Sequence, residues 1–368
     1  MKSFISHSSM NNRGMALLIT LAVVAILTAA ALELARRAGD GAAFIKRSAD
    51  HFSAREMALS GIELAKVILI RDAEIGDTDS VQDIWADSEK MLMAPLLLGY
   101  DPGNLTIKIS DELGKIQINA LLKEFPGHEL NMDQALLWER FLDILISSDK
   151  SFDTRDPAEI LNALKDWLDS GDDNAITGLS GAESQYYRSL DPPVVCPNAP
   201  MDRVEELFMV KGFPREILDA VNDKYGHDYS NISSFFTVYG MDRTDKSAPR
   251  FYWPGRININ TADAAVLAGI LPGGMENQAP ELVDFRVQKG EDGRFFVNSL
   301  DREWYKRVID LSPKEKRNFD SIIRYETFIF SVEARARIDN TQSVVKAVLR
   351  REKNSSGKWQ CNVIQLMP

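Results

Sequence analysis

The 368-residue sequence predicts an α+β fold: one long N-terminal helix, a transmembrane span continued as a stem, packs on an antiparallel sheet that a large helical insertion interrupts. Three observations predict it. Residues 15–32 (MALLITLAVVAILTAAAL) are uncharged and mostly apolar, and the helical pattern continues to residue 72 without a proline. Strand-like alternation occurs twice, near residues 105–118 and again over 320–367. Between these stretches the apolar residues recur every three or four positions, the period of helices.

The apolar run is long enough to cross a bilayer as a helix, whereas the core of a secretory signal usually spans about 7–15 residues. A plain single-span anchor, or a signal cut among residues 29–31, are the other readings these residues admit. Beyond the run, Phe44, Ile45, Phe52, Met57, Leu59, Ile62, Leu64, Val67 and Ile68 continue a helical stripe. From Met15 to about Ile70 such a helix would be roughly 84 Å long at 1.5 Å per residue. Gly39, Gly41 and Gly61 each cost up to about 1 kcal/mol in a helix interior, so bending or local melting is expected near residues 39–41.

Residues 75–90 are acidic and turn-rich. Residues 105–109 and 115–118 alternate apolar and polar around a turn at 111–114, which predicts a hairpin, and Asn119 is placed to cap a helix over 120–125. Residues 132–146 and 157–168 are amphipathic, and 203–210 repeats that pattern before Lys211-Gly212-Phe213-Pro214 stops it. A polar loop (170–181) and a proline-rich stretch (191–200) separate these helices. GRININTADAAVLAGI at 255–270 echoes GKIQINALLKEF at 114–125, so two related helical units in tandem are expected. Residues 325–330, 332–338, 344–350 and 359–364 then return as strands to complete the sheet against the stem.

Composition narrows the function. A net charge of −11 repels nucleic acid and anionic lipid at long range. Residues 257–290 have the form of a helix-hairpin-helix, a motif common in DNA-binding proteins, with Leu271-Pro272-Gly273-Gly274 as the hairpin. Yet Arg256, Arg286 and Lys289 are outnumbered by Asp263, Glu276, Glu281 and Asp284, and a phosphate-tracking surface needs a basic excess. His7, His51, His128 and His227 show no zinc-type pairing. There is no Gly-x-Ser-x-Gly elbow and no phosphate-binding Gly-x-x-x-x-Gly-Lys loop, and nothing else supports Asp169 and Asp173 as a glycosidase pair, so no enzyme is expected. Cys196 and Cys361 are far apart; an extracytoplasmic compartment would permit a disulfide between them, which spacing alone does not establish.

The one constellation with ligand chemistry is Asp166-Trp167-Leu168-Asp169-Ser170-Gly171-Asp172-Asp173, followed by Gly181-Ala182-Glu183. Carboxylates crowded on a helix end repel one another, the helix dipole adds negative potential there, and a hard divalent cation is the usual remedy. The register is not that of an EF-hand, because the twelfth position counted from Asp169 is Ser180. A solvated acidic loop is the alternative.

The leader and apolar run resemble the signal of type IV pilin-like proteins, which a prepilin peptidase cuts after a glycine. The matching bond here is Gly14–Met15, and Met15 would become the new, N-methylated first residue. In most of that superfamily the fifth mature position is glutamate; here it is Ile19. With HFSAREMALSGIELA, DELGKIQINAL, LKDWLDSGDD, GAESQYY, RVEELFMVKGF and ININTADAAVLAGIL in that order, nearly the whole chain resembles the K family of minor pseudopilins of the type II secretion system.

That resemblance implies a leader (1–14), a transmembrane and stem helix (15–72), and a pilin-like α/β part (73–119) completed by strands at 320–368. It implies two helical, SAM-like domains between them (120–255 and 256–319). It further implies calcium held by Asp169, Asp172, Asp173 and Glu183 with Asp166 in support. The implied location is the inner membrane, with the globular part in the periplasm. The implied role is to cap a pseudopilus that serves protein export across the outer membrane, with the I and J minor pseudopilins and the prepilin peptidase as partners and no nucleic acid. The competing expectation is a membrane-anchored periplasmic binding protein with a helix-hairpin-helix module, unrelated to a filament.

Overall fold

A computed structural model describes residues 12–146, 156–171, 176–225, 229–243 and 250–367. Helix α1 (Asn12–Ile75) is continuous over 64 residues. Its most apolar 18-residue window has a mean hydropathy of 2.7 and is wholly unburied, so by length and composition it can cross a membrane. The melting expected at residues 39–41 does not occur. Two glycines cost about 2 kcal/mol at most, helix propagation is cooperative, and pairs from Glu33 to Arg36 and Arg37 and from Arg36 to Asp40 brace that turn.

The face of α1 that packs on the sheet is Ala54, Ala58, Ile62, Ala65 and Leu69, each at most 2% exposed. This corrects the stripe drawn from the large residues: Phe44, Ile45, Phe52 and Val67 remain 62–69% exposed. Small side chains win because they let the helix approach the strands. A Cβ on Gly61 would lie 3.1 Å from both Ala334 Cβ and Leu105 Cδ1, so the glycine that looked like a helix defect marks a close contact with the sheet.

After α1 come α2 (Ser88–Met93), β1 (Leu105–Asp111) and β2 (Ile116–Gln117). The helical region follows with α3 (Met132–Ile146), α4 (Pro157–Leu168), α5 (Ser184–Arg188) and α6 (Ile217–Tyr225). Four short strands come next: β3 (Phe236–Thr237), β4 (Asp242–Arg243), β5 (Phe251–Tyr252) and β6 (Ile257–Asn258). Then α7 (Ala264–Ile270), α8 (Ala279–Val287), α9 (Pro313–Ile322) and β7 (Ile323–Arg324) precede the long strands β8 (Ile329–Ile338), β9 (Thr341–Lys353) and β10 (Trp359–Met367).

The main sheet has the order β1-β8-β9-β10 and is antiparallel throughout. Expected strands 325–330 and 332–338 merge in part into one, because Ser331 stays in register between Ser110 and Val348. β8 and β9 join through Asp339-Asn340, where Asp339 takes the positive φ of 51° that tight two-residue turns need. Alternate residues Leu105, Ile107, Ile109, Val332, Ala334, Val345 and Ala347 form a core with the stem.

The hairpin expected between residues 105–109 and 115–118 is not formed. β1 pairs with β8, and β2 pairs in parallel with β3. The turn between them is instead tied to the helical region: Asp111 is buried, Leu113 N donates to its Oδ1 at 2.7 Å, and Asn258 Nδ2 and Thr261 Oγ1 donate to its Oδ2 at 2.9 and 2.6 Å. Asn119 does not cap a helix either, since a short 3-10 turn spans Ile118–Leu121. Its side chain accepts from Met201 N at 2.8 Å and donates to the carbonyls of Met201 and Val238.

Those bonds give the sequence echo a structural counterpart. In the first copy Ile116 and Gln117 pair in parallel with Phe236 and Thr237; in the second, Ile257 and Asn258 pair in parallel with Ile323 and Arg324. Asn119 donates to the carbonyl of Val238 and Asn260 to that of Tyr325, in each case the residue just after the partner strand. Each copy is thus closed on its own end. The two nevertheless share one core, in which Trp138 of α3 stacks on Phe236 at 5.0 Å and Phe141 packs on Gly269 of α7.

Candidate metal centre

α4 starts at a helix cap, with Asp156 accepting from Ala158 N and Pro157 in the first position. It buries Ile160, Ala163, Leu164, Trp167 and Leu168, which turns Asp166 inward and leaves Asp169 at the C-terminal cap. Across from it, α5 is held by Tyr187, whose ring meets Trp167 edge-on at 4.9 Å, and this sets Glu183 beside the end of α4. Burial pushes the Tyr187 phenol above its ordinary range, so it stays neutral and accepts from Lys211 N.

Asp166, Asp169 and Glu183 are each at most 7% exposed, and one carboxylate oxygen from each lies within 4.8 Å of the others. Two oxygens bound to one calcium ion at about 2.4 Å can be no more than about 4.8 Å apart, so this all-oxygen donor set fits a calcium ion. Asp166 also organises the loop, accepting from Thr177 N at 3.1 Å and Ala182 N at 2.8 Å. Gly181 is required there: a Cβ would fall 2.1 Å from Asp166 Oδ2. Asp169 Oδ1 accepts from Gly171 N at 3.2 Å. Asp172 and Asp173 lie outside the described residues. Gly14 and Met15 are exposed in the first turn of α1, and Ile19 is 60% exposed on the same helix.

The sequence reasoning missed Lys165. Its Nζ donates to Asp169 Oδ2 at 2.8 Å and Thr177 Oγ1 at 2.9 Å and stands 4.0 Å from Asp166 Oδ1. The four-residue spacing to Asp169 was the available signal. Missed as well was a second carboxylate cluster at the end of the stem, Asp72 in its last turn with Asp79 and Asp83 just after it. Arg351 occupies it, donating to Leu69 O and Asp72 Oδ2 at 3.1 Å, Asp79 Oδ1 at 2.5 Å and Thr327 O at 2.9 Å. Burial outweighs the guanidinium and pushes the Asp79 carboxyl up to about 7, and burial pushes Asp83 up to about 6.

Neither of the other candidate features gains chemistry from the fold. In the helix-hairpin-helix, Gly274 N donates to Glu276 Oε1 at 2.8 Å, so a carboxylate sits where a phosphate would, and every residue of α7 is buried. Cys196 and Cys361 are not joined by a disulfide, the first lying in the helical core and the second against the stem–sheet core.

Comparison with known proteins agrees with this architecture. Residues 114–223 match the family model described as type II secretion system (T2SS), protein K. The chain is 27% identical over 287 residues to the type II secretion system protein K of Pectobacterium carotovorum subsp. carotovorum, covering 76% of each. It shares its fold with a chain in the crystal structure of the GspK-GspI-GspJ complex from the enterotoxigenic Escherichia coli type 2 secretion system. The TM-score is 0.58 at 15% identity, over 88% of this chain and 98% of that one. With its long apolar helix, antiparallel sheet and helical insertion, the chain has a pilin-like α+β fold and is similar in sequence to protein K of the type II secretion system.

Proposed function

We propose that this chain is a minor pseudopilin of the type II secretion system that caps the tip of a periplasmic pseudopilus and supports its assembly for protein export across the outer membrane. In this reading residues 15–32 hold the precursor in the inner membrane until a prepilin peptidase cuts the Gly14–Met15 bond and the new amino terminus is methylated. The observation that carries the reading is Ile19. A carboxylate within the bilayer costs about 2.5–3.5 kcal/mol unless it is paired, as with the amine of a subunit above. Ile19 makes no such demand, so this subunit can stand first.

The exposed Phe44, Ile45, Phe52 and Val67 leave an apolar stem face for neighbouring helices, and Ala16, Ala22, Ala25, Ala29 and Ala30 permit close approach inside the membrane. A globular part of roughly 300 residues would crowd its neighbours if repeated along a thin filament. The partners would be the I and J minor pseudopilins, by analogy with the complex whose fold it shares. Calcium, held by Asp169 and Glu183 with Asp172 and Asp173 and supported by Asp166, would order the loop at 170–183 and perform no chemistry.

Filaments assembled with a gold-labelled copy of this chain test the position: one label at one end is expected, and labels along the length overturn it. Intact mass of the membrane-extracted chain is expected to show a methylated species beginning at Met15. An uncut chain would favour the membrane-anchored binding protein instead.

A further inference from the structure

We infer that Lys165 is a built-in counter-ion which a divalent cation must displace, so that calcium binding and release of Lys165 are a single exchange; this rests on the calcium reading above. The ammonium and the ion would compete for the Asp169 carboxylate. Lys165 Nζ lies 2.8 Å from Asp169 Oδ2, and a calcium ion bound there at about 2.3–2.6 Å would share that oxygen with a like charge. The lysine also ties α4 to the loop through Thr177 Oγ1, so it closes the site from the loop side in the ion-free chain.

Lys165 is free to leave. Its side chain is 15% exposed, its remaining hydrogen-bond partner is the neutral Thr177 hydroxyl, and a flexible four-carbon stem can carry the ammonium to solvent. Arg351 in the other cluster lacks that freedom, being 5% exposed and committed to four acceptors. When Lys165 departs, the loop keeps its other ties. Lys211 Nζ still donates to the carbonyls of Ser180 and Gly181, and Asp166 still receives Thr177 N and Ala182 N. The exchange therefore swaps a monovalent clasp for a multi-ligand divalent one while these ties of Thr177 and residues 180–182 stay in place.

The full chain in detergent, stripped of metal and titrated with calcium chloride in a calorimeter, tests this. Lys165→Met is expected to bind calcium about tenfold tighter than the wild type, because no ammonium has to be displaced. Equal or weaker binding by the variant overturns the exchange and leaves the calcium reading standing. If neither protein binds, the calcium reading falls and the exchange with it. A measurement on the wild type alone guards against a variant that misfolds: calcium is expected to raise the reactivity of the Lys165 amine toward an acetylating reagent, read by mass spectrometry. Unchanged or lowered reactivity at saturating calcium overturns the exchange.

Discussion

Two carboxylate clusters in this molecule start from the same electrostatic problem and meet it differently. At the end of the stem, Asp72 and Asp79 with nearby Asp83 close around a buried guanidinium whose fork also reaches the carbonyls of Leu69 and Thr327. At the end of α4, Asp166, Asp169 and Glu183 are at least as buried, but the cation beside them is a part-exposed ammonium at the rim. Arg351 arrives from β9 and is fixed by tertiary structure; Lys165 comes from the same helix as Asp166 and Asp169 and is only locally placed. A planar five-donor fork suits a permanent clamp, and a single flexible point charge suits a position that can be vacated. Carboxylate content alone therefore does not make a metal centre; what separates the clusters is whether the fold supplies its own immovable cation.

The largest test of that contrast is Arg351→Met. Removing one partner of a buried ion pair costs about 3–5 kcal/mol, so a large drop in the urea midpoint is expected, while Lys165→Met in chelator should lose only about 1.5–3 kcal/mol. Equal losses would erase the distinction. Next is the ion itself: at a hundredfold excess over Kd, calcium should stabilise the wild type by about 2.7 kcal/mol relative to chelator, and Asp169→Asn should abolish the shift in the thermal melt. Smaller is Gly181→Ala, whose new Cβ would collide with Asp166 Oδ2 and should cost about 1–3 kcal/mol and weaken calcium binding.

The gentlest effect per unit change is the pH dependence contributed by the stem cluster. Asp79 and Asp83 titrate higher folded, at about 7 and about 6, than the ordinary unfolded value near 3.9. Their stabilising contribution is therefore complete below that unfolded value and is lost as pH rises through the folded ones. Between about pH 4 and pH 7 the chain should gain stability on acidification, by at most about 1.4 kcal/mol per pH unit for each proton. Asp79→Asn should flatten the slope of urea midpoints against pH, and an unchanged slope would remove Asp79 as its source.

Much of the architecture is written in local pattern. The helix over Pro157–Leu168 starts and stops where the apolar spacing and caps place it, and one starts at Met132 as the spacing places it, because amphipathic faces and end signals are contained in the segment. Alternation identified 105–109 as a strand but could not name its partner. Pairing depends on which edge is free in space, and β8 is more than 200 residues away. The stem shows the same limit from the other side: large residues drew the stripe, but close packing chose Gly61 and the alanines. Among candidate ligands, Asp169 and Glu183 were named from sequence and meet with Asp166 in space. Arg351 escaped notice because nothing local marks a lone arginine 279 residues from Asp72 as its partner.

By itself the sequence determined that residues 15–72 form one long helix with an apolar first part, that strands flank a helical region, and that carboxylates gather at the end of α4. These follow from composition, period and charge, which act over a few turns of chain. Only the tertiary structure decided which face of the stem is buried, that β1 closes on β8, and that one acidic cluster is sealed by Arg351 while the other keeps a displaceable Lys165. Those outcomes depend on distances between residues far apart in sequence, and no local preference encodes them.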